Sequence, residues 1–216
     1  MGGKIKMIRS LNTVLSSHRY SFWIEVNLDA IRHNFRNLSK NAPHSQILAI
    51  VKSEAYGHGL ETVALTLDEE GAWGFGIANV NEGRRLRQAG ITKPIVLVAP
   101  ILATQIEEAV KLDLRPPIMD LEFAQAISDA AVRLGKNAKV HLKVDTGMGR
   151  LSVPPEELLS FCEQAAKLPN IEIEGIYSHF AAADQLDQSY TQTQFAKFTD
   201  CIKKLKDLGI DIPYHH

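Results

Sequence analysis

The sequence predicts an α/β fold on parallel strands, which we expect to form an incomplete TIM-type (β/α)8 barrel. Short apolar segments alternate with helical segments from residue 22 onward, as in right-handed βαβ units. This pattern fits an open doubly wound sheet or a barrel. Residues suited to chemistry follow several different strands, which favours a barrel, where every strand contributes to the site from its C-terminal end. Gly74 and Gly76 lack the third glycine of a dinucleotide-binding turn.

The elements are predicted in order from apolar runs and their capping residues. Strands are expected at residues 22–26, 46–51, 73–78, 95–98, 116–119, 139–144 and 171–177, and another begins at 212. Helices are expected from residue 27 or 29 to 37, at 62–70, from 79 or 81 to 90, at 104–112, at 121–134, from 154, and at 189–208. Residues 116–119 form the weakest strand, since proline cannot donate to a ladder.

The strand count is lower than a closed barrel requires. Apart from the partly alternating segment 22–26, there are six strands and the start of a seventh, whereas the closed barrel has eight. Missing strands would leave open edges and exposed apolar surface. We therefore expect residues 22–216 to be a barrel domain truncated relative to a complete enzyme.

Residues 1–21 form an N-terminal extension that is expected to be disordered. No acidic residue precedes Glu25, and four basic residues do. An organelle transit peptide has a similar composition, but short basic tails are common.

Composition places the chain among ordinary globular proteins. Of its 216 residues, 45% are hydrophobic and 23% charged, enough for one sizeable core. The net charge of -1 gives no argument for nucleic acid or an anionic membrane. Cys162 and Cys201 are expected to be reduced, buried thiols of a cytoplasmic protein. The histidines have no metal-ligand spacing, so no metal is expected.

Three sequence motifs contain the residues that are candidates for catalysis or cofactor binding. Lys52 ends the apolar run 47–51, and a partly desolvated lysine there is a nucleophile suited to a Schiff base with a carbonyl cofactor. The alternative is a solvated lysine, the common state of that residue. Tyr56 and the glycines after it add a hydroxyl and a backbone that can approach a ligand.

The second and third strings follow later strands. Arg150, after the loop that begins at Asp145, would point into the same cleft as Lys52 and bind an oxyanion, unless it forms a surface salt bridge. Lys143 lies within the strand, where burial would require a charge partner or a modification; the alternative is a solvated lysine. His179 follows the strand 171–177, although a lone histidine is more often structural.

Together these strings resemble the alanine racemases, which are fold-type III pyridoxal phosphate (PLP) enzymes. Lys-x-x-Ala-Tyr-Gly-His-Gly begins at residue 52, Lys-Val-Asp-Thr-Gly-Met-Gly-Arg-Leu at 143 and Ser-His-Phe-Ala-x-Ala-Asp at 178, in the family order. The resemblance covers roughly residue 22 to the end. It implies a PLP-binding barrel, a separate C-terminal β domain, a homodimer, and interconversion of L- and D-alanine, which supplies D-alanine for cell-wall synthesis.

The resemblance also implies roles for single residues. Lys52 would hold PLP as the internal aldimine and act as one of two acid/base groups. Tyr56 would bond the cofactor phosphate, Arg150 would contact the phenolic oxygen, and His179 would pack against the pyridine ring. Lys143 matches a position that is carbamylated in some relatives. His215 matches a histidine that lies near the arginine at the pyridine nitrogen.

The opposite-face base of the family is a tyrosine of the partner subunit's C-terminal domain, which would lie beyond residue 216. We therefore expect this chain alone not to racemise alanine. Ser53 and Glu54 replace the more usual small residue plus Asn or Asp, which leaves the substrate open. A broad-specificity racemase of the same fold type and a non-catalytic PLP-binding protein remain alternatives.

Overall fold

The structure, a computed structural model, describes residues 24–216 as alternating helices and short strands. The helices are α1 (Leu28–Asn41), α2 (Lys52–Gly57), α3 (Leu60–Glu69), α4 (Val80–Gln88), α5 (Ile106–Lys111), preceded by the 3-10 turn Ala103–Gln105, α6 (Leu121–Leu134), α7 (Leu158–Ala165) and α8 (Ser189–Asp207). The strands are β1 (Leu48–Ile50), β2 (Gly74–Ile77), β3 (Ile95–Leu97), β4 (Leu114–Arg115), β5 (Pro117–Ile118), β6 (Ala138–Lys143), β7 (Ile171–Tyr177) and β8 (Tyr214–His215). The expected extension, residues 1–21, lies outside the described residues, as do Phe22 and Trp23.

Side-chain caps fix where several helices begin. The side-chain oxygens of Asn27, Asn79 and Asp120 each accept a backbone N–H three residues further on, at 3.1, 3.0 and 2.7 Å. Such caps satisfy amides that have no partner within the helix. At the other end of α6, Gly135 adopts the left-handed conformation with φ 61°. The predicted bounds of α6 are therefore confirmed exactly.

All the strand pairs are parallel, in two four-stranded sheets with the orders β1-β2-β3-β4 and β5-β6-β7-β8. Only Pro116 separates β4 from β5, so the two sheets continue one another, and its carbonyl accepts the His141 N–H at 3.1 Å. Counted this way, residues 24–216 contain seven strands, which agrees with the six strands and the start of a seventh that the sequence predicted.

The sheet is rolled rather than flat. The rings of Trp73, just before β2, and Tyr214 in β8 lie 4.5 Å apart, although β2 and β8 belong to different sheets. This contact rules out a flat open sheet, and the predicted barrel-type fold with incomplete closure is confirmed. Within residues 24–216, β1 and β8 remain unpaired edges.

The core lies between the sheet and the helices that cover it. Phe75, Leu97, Ile118, Ile127 and Leu142 are all fully buried. β2 and β3 are buried at every position, the pattern of a parallel strand covered on both faces. Each such side chain contributes about 1.5–3 kcal/mol through burial.

Three predicted elements differ from the structure. Residues 24–27 form no strand, and Ile24 is 81% exposed, so no apolar face holds the segment to the sheet. The two prolines at 154 and 155 lie in a turn, and α7 begins only at Leu158. Of the strand predicted at 116–119, only Pro117–Ile118 is a strand, and Leu114–Arg115 before Pro116 is a strand that was not predicted. Pro116 itself interrupts the ladder, because proline has no N–H to donate.

Within the described part of the chain, no helix has the length and apolar character needed to cross a bilayer. Cys162 and Cys201 are free, buried thiols, as predicted.

Candidate active site

A cavity of about 530 Å3 lies at the C-terminal ends of the strands. Its volume is within the range of pockets that hold small ligands. The polar wall residues follow or end four different strands, β1, β6, β7 and β8, which is how a barrel gathers a site from distant segments. The ionisable residues that line it are Lys52, Tyr56, Lys143, Arg150, Tyr177, His179 and His216.

Lys52 follows β1 and is half-buried at the cavity wall. Residues 53–56 then form a left-handed turn, with φ between 52 and 58° and ψ between 37 and 52°. The Ala55 N–H donates to the Val51 carbonyl at 2.8 Å, and the Gly59 N–H donates to the Glu54 carbonyl at 2.8 Å. Left-handed non-glycine residues cost roughly 1–2 kcal/mol each, so other contacts must hold this turn.

Helix α4 supplies two of those contacts. The buried Glu82 carboxylate accepts the N–H of Ser53 at 2.6 Å and the N–H of Ala78 at 2.8 Å. One turn further along the helix, the Arg85 guanidinium binds the carboxylates of Glu54 and Glu61. The turn is therefore fixed to a helix that itself follows the neighbouring strand, β2.

The loop after β6 carries Arg150 to the cavity. The Asp145 carboxylate accepts the N–H of Gly147 at 2.8 Å and the N–H of Gly149 at 3.0 Å, and both glycines have positive φ. Burial by itself raises the pKa of Asp145, but the backbone N–H bonds outweigh it and hold the pKa below its usual range. The loop is thus ordered around an ionised carboxylate, and Arg150 remains exposed at the cavity wall.

Lys143, at the end of β6, is only 8% exposed. Among residues 24–216 it has no carboxylate within ion-pair distance. Burial lowers the pKa of its ammonium group, and the positive charges of Arg150 and Lys52 lower it further. The alternative of a solvated lysine is therefore excluded, and Lys143 is a buried amine near the positive charge of Arg150.

His179 follows β7 and lies at the cavity rim with its ring largely exposed. Partial burial lowers its pKa, and the neighbouring charges of Arg150, Lys143 and Lys52 act in the same direction. The imidazole is therefore neutral over a wider pH range than an isolated histidine.

Two aromatic rings that sequence reasoning did not single out form another part of the wall. Tyr177 is 5% exposed, and its hydroxyl is buried without a partner among the described residues. Burial raises the pKa of that hydroxyl. The Tyr177 ring stacks on His216 at 4.8 Å, and Nε2 of His216 lies 2.7 Å from Nδ1 of His141. These contacts desolvate the His216 imidazole and lower its pKa to about 3, even though the residue as a whole retains exposed surface.

His215, the predicted neighbour of the site, does not line the cavity with Lys52. It is exposed and borders two smaller cavities beside α8, one of them together with Leu205 and Ile202. Side chains alternate along a strand, so the side chain of His216 faces the interior and that of His215 faces the helix.

A buried glutamine joins the loops that carry Arg150 and His179. Gln194, on α8, is fully buried. Its amide nitrogen donates to Thr146 Oγ1 at 3.2 Å and to the His179 carbonyl at 3.1 Å, and its amide oxygen accepts the Ala181 N–H at 2.9 Å. This role could not be predicted from the sequence, because glutamine on a helix is most often exposed.

A charged cluster lies deeper between β4, β6 and β7. The buried Glu174 carboxylate accepts from Arg115 Nε at 3.0 Å and from Lys139 Nζ at 2.8 Å, and His141 Nε2 lies 3.5 Å away. A Cβ at position 175 would lie 2.6 Å from the His141 ring, so Gly175 is what leaves room for the imidazole.

A different cavity of about 330 Å3 lies between α1, β1 and α3. It is lined almost entirely by apolar side chains, and its polar members are Asn34 and His58. Its wall has no amine or guanidinium, so the cavity at the strand ends is the candidate site. Among residues 24–216, no group of three or more His, Cys, Asp and Glu side chains is arranged to hold a metal ion.

The fold and this cavity define an α/β barrel-type domain with a lysine, an arginine and a histidine at one pocket. The chain belongs to the alanine racemase N-terminal domain family, whose model matches residues 26–216. This membership confirms the resemblance drawn from the three motifs.

Individual relatives agree with the family match. The chain is 39% identical over 195 residues to the alanine racemase of Clostridium perfringens (strain SM101 / Type A), covering 90% of this chain and 50% of that protein. It is 41% identical over 199 residues to the alanine racemase of Methanococcus maripaludis, covering 91% and 53%. The chain therefore spans about half the length of the curated relatives it matches.

Solved structures give the same result. The alanine racemase of Clostridium difficile 630 in complex with cycloserine has a TM-score of 0.87 and 35% identity, covering 92% of this chain and 55% of that chain. The alanine racemase of Bacillus anthracis with bound L-Ala-P has a TM-score of 0.81 and 35% identity, covering 90% and 50%.

Proposed function

We propose that this chain is the cofactor-binding part of a PLP-dependent racemase that interconverts L- and D-alanine. The proposal rests on one observation: side chains from three distant motifs line a single cavity. By analogy with the family, the product would be D-alanine for cell-wall synthesis in the cytoplasm, and the complete enzyme would be a homodimer. The cycloserine and L-Ala-P complexes of two relatives support a small amino-acid substrate.

The residues at the cavity fit PLP by their chemistry. The cofactor has an aldehyde, a phosphate dianion, an ionisable phenol and a pyridine ring. The cavity offers an amine from Lys52, a hydroxyl from Tyr56, a guanidinium from Arg150 and an imidazole from His179. Its fixed positive charges suit a dianion, and its volume of about 530 Å3 suits a molecule of this size.

Each residue then has a role that its position supports. Lys52 would hold the cofactor covalently, and its amine would carry the α-proton to and from one face of the substrate. Tyr56, 61% exposed on the left-handed turn, is free to donate its hydroxyl to the phosphate. Arg150 would bind the phenolic oxygen as a charge-assisted donor.

The electrostatics of the wall support the remaining roles. Partial burial and then its cationic neighbours lower the pKa of His179, which favours the uncharged ring that would pack on the pyridine. A buried Lys143 ammonium beside Arg150 is unfavourable, and carbamylation would turn it into an anion that pairs with the guanidinium. When bound, PLP withdraws electrons from the substrate and makes its α-proton acidic.

Racemisation also needs an acid/base group on the opposite face of the substrate. By analogy with the family, that group would be a tyrosine of a partner subunit's C-terminal domain, so we expect the purified 216-residue chain to bind PLP without turnover. Measurable conversion of L- to D-alanine by this chain would contradict that expectation.

Trapping the cofactor tests the proposal. The chain is incubated with PLP and reduced with borohydride, and the modified peptide is located by mass spectrometry. We expect pyridoxyl-lysine at Lys52, and its loss in Lys52→Arg. The control is Lys143→Arg, which removes the other amine of the pocket and should leave the label at position 52. Labelling mainly at any other lysine would refute the proposal.

A further inference from the structure

Glu82 is a buried carboxylate that the proposed chemistry does not use. It is 6% exposed, and among residues 24–216 no cation lies within ion-pair distance of it. Both of its oxygens accept backbone amides instead, one from Ser53 at 2.6 Å and one from Ala78 at 2.8 Å. A buried carboxyl group is costly unless it is hydrogen-bonded, and these two bonds give each of its oxygens a partner.

The two amides belong to the ends of neighbouring strands. Ser53 directly follows Lys52 and is the first of the four left-handed residues. Ala78 directly follows β2, whose Gly76 carbonyl accepts the Val51 N–H at 2.8 Å. The carboxylate therefore continues the β1–β2 pairing past the point where the ladder ends, and it fixes the backbone on the C-terminal side of Lys52.

The helix holds that carboxylate in place. Glu82 is the third residue of α4, and its own N–H donates to the Asn79 cap at 3.0 Å. Near the helix N-terminus a negative charge is also stabilised by the helix dipole. Arg85 contacts the same turn through Glu54, but that pair is largely exposed and contributes little. The buried carboxylate is the stronger of the two contacts.

Resting on the function proposed above, we propose that Glu82 is a positioning residue that aims Lys52 and Tyr56 into the cavity. Left-handed backbone is unfavourable for serine, glutamate, alanine and tyrosine, so the turn persists only while its contacts oppose relaxation. Without the acceptor, the Ser53 amide rotates away. The lysine and the tyrosine, at the two ends of the same turn, then lose their common orientation.

The test uses the full 216-residue chain, with Glu82→Ala, Glu82→Gln and the control Glu61→Gln. Glu61 packs beside the same helix but bonds Arg85 and not the backbone of the turn. Samples are mixed with PLP and quenched with borohydride at set times, and the rate of pyridoxyl-Lys52 formation is measured. Hydrogen exchange by mass spectrometry reports on residues 51–59, and urea unfolding on stability.

We expect Glu82→Ala to slow labelling of Lys52 by about tenfold or more, the scale of a lost hydrogen bond to a charge. The labelling rate of Glu82→Gln should lie between those of the wild type and Glu82→Ala. Its amide oxygen still accepts one N–H, while its NH2 group faces the other. The labelling rate of Glu61→Gln should stay within about twofold of the wild-type rate. Exchange should rise only around the turn. A merely structural role would lower the urea midpoint without slowing the labelling of folded protein.

The outcomes separate the two proposals. Absence of label at Lys52 in the wild type would overturn the proposed function and this inference with it. Normal labelling of the wild type, together with an equal rate in Glu82→Ala, would overturn the inference alone. If the alanine variant does not fold, the glutamine variant decides, and a wild-type rate with unchanged exchange at the turn would refute the positioning role.

Discussion

Replacement of Glu174 by glutamine should destabilise the fold strongly at neutral pH and remove part of its acid sensitivity. Burial by itself raises the pKa of Glu174, but bonds from His141 and Lys139 and the charge of Arg115 outweigh it and lower the pKa to about 2, from an ordinary 4.5. The folded chain therefore favours the ionised form.

The magnitude follows from the two pKa values. A difference of about 2.5 between them corresponds to roughly 3 kcal/mol of stability. Because the folded pKa is the lower one, this stability is fully present above pH 4.5 and is lost as the pH falls toward 2. By pH 3 the wild type should have lost about 2 kcal/mol of it.

Urea unfolding followed by circular dichroism, from pH 7 to pH 3, measures this loss. We expect Glu174→Gln to cost about 3 kcal/mol at pH 7, because Arg115 loses the buried one of its two carboxylate partners, and to lack the acid-dependent component. Glu172→Gln is the matched control, since this exposed carboxylate lies 3.9 Å from the same Lys139 ammonium. It should change the free energy of unfolding by less than about 1 kcal/mol. If the free energy of unfolding fell by the same amount from pH 7 to pH 3 in the wild type and in Glu174→Gln, the reasoning would be refuted.

Two further substitutions test how the loops and the interior are packed. Gln194→Leu should cost about 2–3 kcal/mol in urea unfolding and speed hydrogen exchange in residues 145–150, because it removes the bonds that join two loops; unchanged exchange there would contradict the role given to this side chain. Gly175→Ala should lower the free energy of unfolding by about 1–3 kcal/mol, because the new methyl group would overlap the His141 ring. A stability equal to that of the wild type would mean that the ring moves aside freely.

The sequence predicted those parts of the fold that depend on local signals. The α6 bounds were exact because Asp120 caps one end and Gly135 closes the other. The bounds of β7 also agree, since isoleucine and glutamate alternate at its start and no proline lies within it. By contrast, the prolines at 154 and 155 suggested a helix start, but the Glu157 N–H donates to the Pro154 carbonyl at 3.1 Å in a turn, and the helix begins at Leu158.

The site was predictable only where a motif marked it. Lys52, Tyr56, Arg150 and His179 were singled out from their strings, and the structure brings them to one cavity, although their roles stay predictions. Glu82 was not found, because a glutamate at the third position of a helix is common and its partner at Ser53 lies 29 residues earlier.

The choice between His215 and His216 also needed coordinates. Adjacent residues in a strand face opposite sides, and a shift of one residue exchanges them. Only the pairing of Gly175 with Tyr214 and of Ile176 with His215 fixes which side chain reaches Tyr177.

The charge of the chain is nearly balanced, yet it is unevenly distributed. Lys52 and Arg150 share one cavity, while the Asp145 carboxylate, in the loop that carries Arg150, is occupied by amides of its own loop. Clustered cations within low-dielectric walls produce a field that reaches into solvent and concentrates small anions near the opening. Added salt shortens that reach to about 8 Å at physiological ionic strength, so the capture rate of a phosphorylated ligand would depend on the buffer more than the overall charge suggests.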